Sequence, residues 1–176
     1  MILNERDTRK ERALEIANKL ITAARTAPKT RGVDILEIAV ITDDKIEELS
    51  TLMQGFEFRG SQFKMERDSA NVLQAECVVL IGTKERPMGL NCGHCGFPTC
   101  SSRTEGVPCF FNGLDVGIAL GSAVALAADL RVDTRLMFSV GLAAQKLDYM
   151  NGCTMIMAIP ISISSKNPFF DRASKK

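Results

Sequence analysis

The sequence predicts an α+β domain over residues 1–176, in which helices are layered on a central mixed sheet. Three observations support this prediction. Segments with apolar residues at helical spacing alternate with short β-branched runs. One helix, predicted over residues 115–130, is apolar nearly all round. Residues 84–113 show little periodicity, and we interpret them as a cysteine-rich insertion between the regular elements.

In the first half of the chain, a capping box of Thr8 and Glu11 precedes a helix with apolar residues at helical spacing. This helix should end near Ala27, because Pro28 disfavours the helical conformation in the residue before it. The remaining elements predicted here are a strand over 35–41, a short helix capped by Asp43 or Asp44, a second short helix over 69–74 and a strand over 77–82.

The helix over 115–130 should be buried on all sides, because none of its faces is polar. Its small residues form one stripe that allows a second helix to approach closely, in the core or across a dimer interface: Gly117, Gly121, Ala125 and Ala128. After this helix, the sequence predicts a strand over 135–140, a short helix over 142–147 and a last strand over 154–161. Pro160 places the end of that last strand at a sheet edge.

Composition excludes several classes of function. The formal net charge of +1 indicates no binding to nucleic acid or to an anionic membrane. The N-terminal residues lack the apolar run of a secretory signal, and the most apolar stretch, 116–128, is too short to span a bilayer. We therefore expect a cytoplasmic protein whose six cysteines stay reduced and serve metal or redox chemistry.

The most informative segment holds four of the six cysteines within eighteen residues. Cys92, Cys95, Cys100 and Cys109 follow the spacing C-x2-C-x4-C-x8-C, and a glycine follows each of the first two. Four soft thiolates in one segment suit a thiophilic metal centre, and glycines let the backbone direct amide N–H groups at it. The leading candidate is an iron–sulfur cluster of the [4Fe–4S] type.

Zinc is the alternative metal. The C-x2-C-G pattern is also the knuckle of zinc ribbons, and a tetrahedral all-cysteine zinc site needs four thiols. Zinc ribbons usually supply two C-x2-C pairs, however, whereas eight residues separate Cys100 from Cys109. The spacing therefore favours the cluster over zinc.

Three further residues have several candidate roles. We expect Cys77 and Cys153 to pack as small buried hydrophobes, although either could lie near a redox group. His94 is the only histidine and lies between the first two cysteines of the motif. We expect it to be a solvent-facing spacer, with proton relay and alternative ligand as its other roles.

The motif NCGHCGFPTC resembles the four-cysteine segments of small [4Fe–4S] electron-transfer domains. With its flanking segments it resembles, over nearly the whole chain, the family of uncharacterised proteins described as containing a ferredoxin domain. This resemblance implies the ligand set Cys92, Cys95, Cys100 and Cys109. It implies no particular reaction and no catalytic residue.

A second resemblance concerns the scaffold. The stretch AARTAPKTRGVDILEIAVI, residues 23–41, is similar to the first helix, loop and strand of the flavin-dependent nitroreductases. The helix over 115–130 resembles the central dimer helix of that family, so the likeness implies a nitroreductase-like fold built as a homodimer. Lys29 replaces the serine of the nitroreductase motif, and its flavin-holding Asn, Gln and Trp are missing. Arg25, Lys29 and Arg31 are the candidates to bind an FMN phosphate in another way.

The sequence therefore predicts a redox protein that passes single electrons to or from a partner protein, a small electron acceptor or bound FMN. No nucleophile–base pair is visible, because the single histidine lies in the cysteine motif, so the sequence assigns no enzymatic reaction. The alternatives are a zinc-stabilised interaction module without enzymatic activity and an FMN-dependent oxidoreductase.

Overall fold

The structure, a computed structural model, describes residues 1–56 and 65–172. Within these ranges, five α-helices and four strands follow one another in the predicted order. The helices are α1 (Arg9–Thr26), α2 (Asp44–Gln54), α3 (Glu66–Val72), α4 (Phe110–Asp129) and α5 (Phe138–Lys146). The strands are β1 (Leu36–Ile41), β2 (Cys77–Thr83), β3 (Asp133–Thr134) and β4 (Met155–Ser162).

The strands form one sheet in the order β1-β2-β4-β3, and every neighbouring pair is antiparallel. The prediction of a mixed sheet was therefore wrong in strand direction. Local patterns identify the strands, but direction depends on pairing between residues far apart in the sequence. Leu36 faces Thr83 across one pair of strands, and Cys77 faces Ile161 across the next.

The central strand β2 is buried on both of its faces. Alternate residues of a strand point to opposite sides of a sheet. Cys77, Val79 and Ile81 belong to a core shared with α1 and α4. Val78 and Leu80 belong to a second core shared with α2, α3 and α5. The protein therefore has three layers, with the sheet between two layers of helices.

Two predicted details of the element ends were wrong. Thr8 precedes α1, but its hydroxyl makes no capping bond and instead accepts a hydrogen bond from Arg12 at 2.7 Å. Pro160 lies inside β4, which has neighbours on both sides. This position tolerates proline because β3 pairs only with Ile161 and Ser162, so the missing N–H removes no ladder bond to β3.

The strand predicted over residues 135–140 was also wrong. β3 ends at Thr134, and α5 begins at Phe138. Between them, Met137 makes an isolated antiparallel bridge with Ala158 of β4. The apolar residues of 135–140 therefore form this bridge and the first turn of α5, and they do not form a continuous strand.

Helix α4 begins at Phe110, earlier than predicted, and it is not buried on all sides. One face packs on α1 and the sheet. The opposite face is exposed, and we call it the open face of α4. It consists of seven uncharged residues: Phe110, Leu114, Gly117, Ile118, Gly121, Ala125 and Ala128. The exposed Asp129 follows them at the end of the helix. The apolar composition of the helix predicted that it is buried, but composition does not distinguish burial in the chain's own core from burial against a second chain.

Helix α4 is long and apolar enough to cross a membrane, and among the described helices no other meets this criterion. The criterion uses length and composition only. The helix meets it because it begins at Phe110 and has 20 residues, so the expectation of a stretch too short to span a bilayer, 116–128, was wrong in length. In the structure, one face of α4 packs in the core between α1 and the sheet. The core helix of a layered domain can meet the same criterion of length and apolar composition.

Candidate metal centre

Residues 84–109, here called the cysteine segment, join β2 to α4 and contain one short helical turn, Cys100–Ser102. The last four residues of the predicted insertion instead form the first turn of α4. Asn112 of that turn accepts a hydrogen bond from the Arg86 N–H and donates one to the Arg86 carbonyl, each at 3.0 Å. Arg31 donates to the Met88 carbonyl at 2.8 Å. The start of the cysteine segment is therefore tied to the folded core.

The structure brings the four cysteines of the motif around one space. Cys109 is buried at the N-cap of α4, Cys95 and Cys100 are half-buried, and Cys92 is exposed. All four line one small cavity of about 10 Å³. Within residues 1–56 and 65–172, no three His, Cys, Asp or Glu side chains form a group that could hold a metal ion as they stand. The thiols thus surround a cavity without converging on one point.

Positive φ angles shape the turn that carries the first two cysteines. Gly93 has a φ of 74° and Gly96 a φ of 88°, which glycine adopts without the steric cost that a side chain adds. The Gly96 N–H donates to the Gly93 carbonyl at 2.9 Å. The chain therefore reverses within the C-x2-C part of the motif, which keeps Cys92 and Cys95 beside the same cavity.

Asn91 links the beginning of this turn to the third cysteine. Its N–H donates to Cys100 Sγ at 3.4 Å, and its side-chain Oδ1 accepts from the Cys100 N–H at 2.8 Å. An N–H donor directed at sulfur stabilises the negative charge of a thiolate ligand. Cys100 is therefore provided with such a donor by the protein itself.

Arg103 is the one charged residue among those that line the cavity. Its side chain is 10% exposed, and its Nη1 donates to Glu85. The Nε–H is buried and has no hydrogen-bond partner among the described residues. Because an unsatisfied buried donor costs free energy, a negatively charged group in the cavity would supply the acceptor that this N–H lacks.

Sequence reasoning missed Arg103, Glu85 and Asn91. A visible signal existed for Arg103, since a cation lies three positions after the third cysteine of the motif. The pairing with Glu85 had no such signal, because the two residues are eighteen positions apart in an aperiodic segment.

The three cations predicted to bind a flavin phosphate make separate contacts. Arg25 pairs with Asp34 at 2.7 Å. Lys29 donates to carbonyl oxygens at the end of α1, including that of Ala24 at 2.9 Å. Arg31 holds the cysteine segment through the contact described above. Arg25 and Lys29 both lie at the end of α1, where Lys29 also donates to the Arg25 carbonyl at 3.0 Å, so each of the three side chains already has a partner within the protein.

The remaining two cysteines are buried thiols, as expected. Cys77 lies in β2, its Sγ donates to the Ala13 carbonyl at 3.7 Å, and burial raises its pKa to about 12. Burial also raises the pKa of Cys153. Both thiols therefore stay protonated at neutral pH and pack as small hydrophobes.

His94 packs against the start of α4 rather than acting only as a spacer. Its ring lies 5.1 Å from that of Phe110 and 6.1 Å from that of Phe111, measured between centroids. These contacts place the C-x2-C turn against the first turn of α4. His94 therefore helps to position the turn that carries Cys92 and Cys95.

Two comparisons with known sequences bear on the family of the chain. A protein of Archaeoglobus fulgidus, itself described only as an uncharacterized protein, is 38% identical over 186 aligned positions that cover the whole of both chains. The family described as "Uncharacterized protein containing a ferredoxin domain" matches residues 105–172. The chain belongs to this family. The matched part of this ferredoxin-domain protein includes Cys109, whereas the other three cysteines of the motif precede it.

Solved structures of nitroreductase-family proteins share the fold of this ferredoxin-domain protein. A nitroreductase-family protein from Clostridium novyi NT superposes with a TM-score of 0.57 at 16% identity, over 89% of this chain and 76% of the other. A nitroreductase from Desulfitobacterium hafniense with bound FMN gives 0.57 at 13% identity, over 94% and 92%. An NADPH:FMN oxidoreductase from Vibrio harveyi gives 0.57 at 10% identity, over 88% and 61%. These similarities confirm the predicted nitroreductase-like α+β fold.

Proposed function

We propose that this protein carries one [4Fe–4S] cluster on Cys92, Cys95, Cys100 and Cys109 and serves as a single-electron carrier. One observation supports this function most directly. The four thiols of the motif line one cavity together with Arg103, a buried cation whose Nε–H has no acceptor among residues 1–56 and 65–172. The description of its family as containing a ferredoxin domain also supports a redox role.

The residues around the cavity fit such a cluster in charge. A cluster with four thiolate ligands is an anion, and Arg103 provides a buried positive charge beside it. The Asn91 N–H is already directed at Cys100 Sγ. Cys109 lies at the N-cap of α4, where the positive end of the helix dipole favours a thiolate. Three independent features therefore stabilise negative charge at this site.

The residues also fit a cluster in arrangement. A single zinc ion draws four sulfurs to about 2.3 Å from one point, whereas a cluster binds its thiolates at separate corners. Among the described residues the four thiols line one small cavity of about 10 Å³ without converging on one point, and separate positions of this kind suit the second arrangement. Zinc stays the alternative metal, in a module that the metal stabilises without enzymatic activity.

When bound, the cluster would accept one electron from a donor and release it to an acceptor. The protein residues hold it and set the exposure of its ligands. Cys109 is buried against the core, whereas Cys92 is exposed, so the Cys92 side of the site faces solvent. We expect a redox partner protein or a small electron acceptor to exchange electrons on this side.

FMN is the second candidate cofactor, and an FMN-dependent oxidoreductase is the second candidate function. The observation in its favour is the shared fold, since the Desulfitobacterium hafniense nitroreductase of that fold has FMN bound. In this chain, a flavin phosphate would compete with the carbonyl and carboxylate contacts that Arg25, Lys29 and Arg31 now make. The cysteine cavity has no such competition, so we place the cluster first.

We also propose that the protein is a homodimer that pairs through the open face of α4. On this face the side chains of Phe110, Leu114 and Ile118 are 46%, 40% and 37% exposed, and small residues lie beside them. Exposed apolar surface without charge favours burial against a second protein surface. A second copy is the proposed partner, because the seven residues of this face carry no charge that would repel its own image across a two-fold axis, and the exposed Asp129 lies only at the C-terminal end of the helix.

The function is tested by purifying the protein without oxygen and reconstituting it with ferrous iron, sulfide and a thiol reductant. We expect brown protein with about four irons and four sulfides per chain, and broad visible absorption that bleaches with dithionite. Replacement of a ligand, Cys100→Ala, should abolish stable incorporation. Cys153→Ala is the matched control and should retain the cluster, because Cys153 is buried away from the motif in sequence and does not line the cavity.

Three results would contradict the cluster proposal. Colourless protein that keeps stoichiometric zinc after anaerobic reconstitution would establish the zinc module instead. Yellow protein with a flavin spectrum and no iron would establish the FMN-dependent oxidoreductase. Equal loss of iron in the Cys100 and Cys153 variants would show that the four-cysteine ligand set is wrong.

A further inference from the structure

Arg103 and Glu85 form an ion pair at the wall of the cysteine cavity. The Arg103 side chain is 10% exposed and that of Glu85 is 24% exposed, so solvent screens this pair only weakly. Among the residues that line the cavity, Arg103 alone is charged, and Glu85 is its partner on the side away from the lining. The charge balance of the site therefore depends on these two residues.

Arg103 also has a hydrogen-bonding capacity that the protein leaves unused. Its Nη1 donates to Glu85, but its Nε–H is buried without a partner among the described residues. Buried N–H groups in folded proteins almost always have an acceptor, and each exception calls for an explanation. A thiolate or sulfide in the cavity that Arg103 lines would be such an acceptor.

We propose that Arg103 sets the reduction potential of the site, and that Glu85 moderates its effect. This inference rests on the proposed cluster function. The reduced cluster carries one more negative charge than the oxidised cluster, so a buried cation stabilises the reduced form more and raises the potential. The Glu85 carboxylate offsets part of the Arg103 charge and lowers the potential. The two residues therefore act in opposite directions on one measurable quantity.

The test compares four variants of the reconstituted protein in an anaerobic dithionite titration followed by electron paramagnetic resonance. Arg103→Gln should lower the ratio of reduced to oxidised cluster at a fixed solution potential by about tenfold. This change corresponds to a reduction potential lower by about 59 mV for a one-electron couple. Arg103→Lys keeps the charge without the Nε–H and should shift the potential less in the same direction. Glu85→Gln should shift it the opposite way.

Arg86→Gln is the matched control. It removes the same charge from the neighbourhood of Glu85, but the Arg86 side chain is exposed and solvent screens it, so the potential should stay unchanged. The backbone contacts of residue 86 with Asn112 do not depend on its side chain. Iron and sulfide are measured for every variant to show that the same cluster is compared.

The outcomes distinguish this inference from the function on which it rests. Wild-type protein without iron and sulfide would overturn both. Wild-type protein with a cluster, and variants whose potentials stay unchanged, would overturn the role of Arg103 alone. If Arg103→Gln does not retain a cluster, the Glu85→Gln variant tests the proposal. A raised reduction potential in Glu85→Gln would support it, and an unchanged potential would show that the ion pair is only structural.

Discussion

Asn112 and Arg86 are joined by two hydrogen bonds that run in opposite directions between a buried side chain and a backbone amide group. The Asn112 side-chain amide donates to the Arg86 carbonyl and accepts from the Arg86 N–H, each at 3.0 Å. Asn112 is 1% exposed. This pair connects the first turn of α4 to the start of the cysteine segment, so the last cysteine and the beginning of the segment share one rigid base.

Asn112→Ala should loosen the cysteine segment, because it leaves the Arg86 N–H and carbonyl without their partner. Each lost bond of this kind costs about 1 kcal/mol, and unsatisfied buried groups cost more. We expect faster loss of the cluster and faster hydrogen exchange in residues 84–92, with a smaller effect on β2. Asn112→Asp is the control, because it keeps the acceptor for the Arg86 N–H. Equal behaviour of both variants and wild type would contradict this role of Asn112.

Gly141→Ala should strongly destabilise the fold. A Cβ at residue 141 would lie 2.0 Å from the Ile156 carbonyl oxygen, so α5 would have to move away from β4. Overpacking of this kind costs about 1–3 kcal/mol or more, and backbone atoms yield less readily than side chains. Urea unfolding should show this loss. Gly55→Ala is the control, since no atom of the described residues lies within 4 Å of its added Cβ and its φ of −108° suits alanine.

Asp68 should make stability depend on acid pH. Burial raises the pKa of Asp68. Hydrogen bonds from Ser139 and Arg67 and the charge of Arg135 lower this pKa by more than burial raises it, so it lies below its usual range. A carboxyl with a lowered pKa in the folded state stabilises the fold above the unfolded value, near 4, and this contribution is lost as the pH falls through the folded value.

Asp68→Asn tests this pH dependence. At about pH 7 the variant should lose about 2 kcal/mol of unfolding free energy, because the half-buried Arg135 and the Ser139 hydroxyl lose a charged partner. At about pH 3 the difference from wild type should be smaller, because the wild-type carboxyl begins to protonate. Asp43→Asn is the control and should change stability little, since the Asp43–Lys10 pair is exposed. A difference that does not vary with pH would contradict the prediction.

Gly121→Arg should convert the proposed homodimer to a monomer. Gly121 lies on the open face of α4, and in the part of the chain that the structure describes no atom is within 4 Å of an added Cβ, so one chain by itself can accept the larger side chain. In a dimer paired through this face, the same side chain would collide with the partner and bury a charge. Sedimentation should show the monomer mass for the variant and twice that mass for wild type.

Asn18→Arg is the matched control for the dimer prediction. It makes the same change of charge on an exposed position of α1, and it should leave the mass unchanged. Monomeric wild-type protein would contradict the homodimer. A Gly121→Arg variant that stays dimeric would show that the copies pair through another surface.

Patterns along the chain were sufficient to predict the element order, because it depends on neighbouring residues. The same patterns failed at Thr8, whose hydroxyl binds Arg12 instead of capping α1, and at Pro160, which lies inside a strand. In each case the outcome depends on a specific partner. The strand directions were also predicted wrongly, because direction depends on which distant strand each strand pairs with.

The sequence by itself determined the four-cysteine motif, the alternating faces of the strands and the apolar character of α4. These properties are periodic or local, and hydrophobic burial acts on them directly. Only the tertiary structure decided that Arg103 lies beside the cysteines with an unused N–H, that Arg31 holds the cysteine segment and that one face of α4 stays open. Such contacts join residues distant in the chain, and their geometry depends on the packing of all three layers.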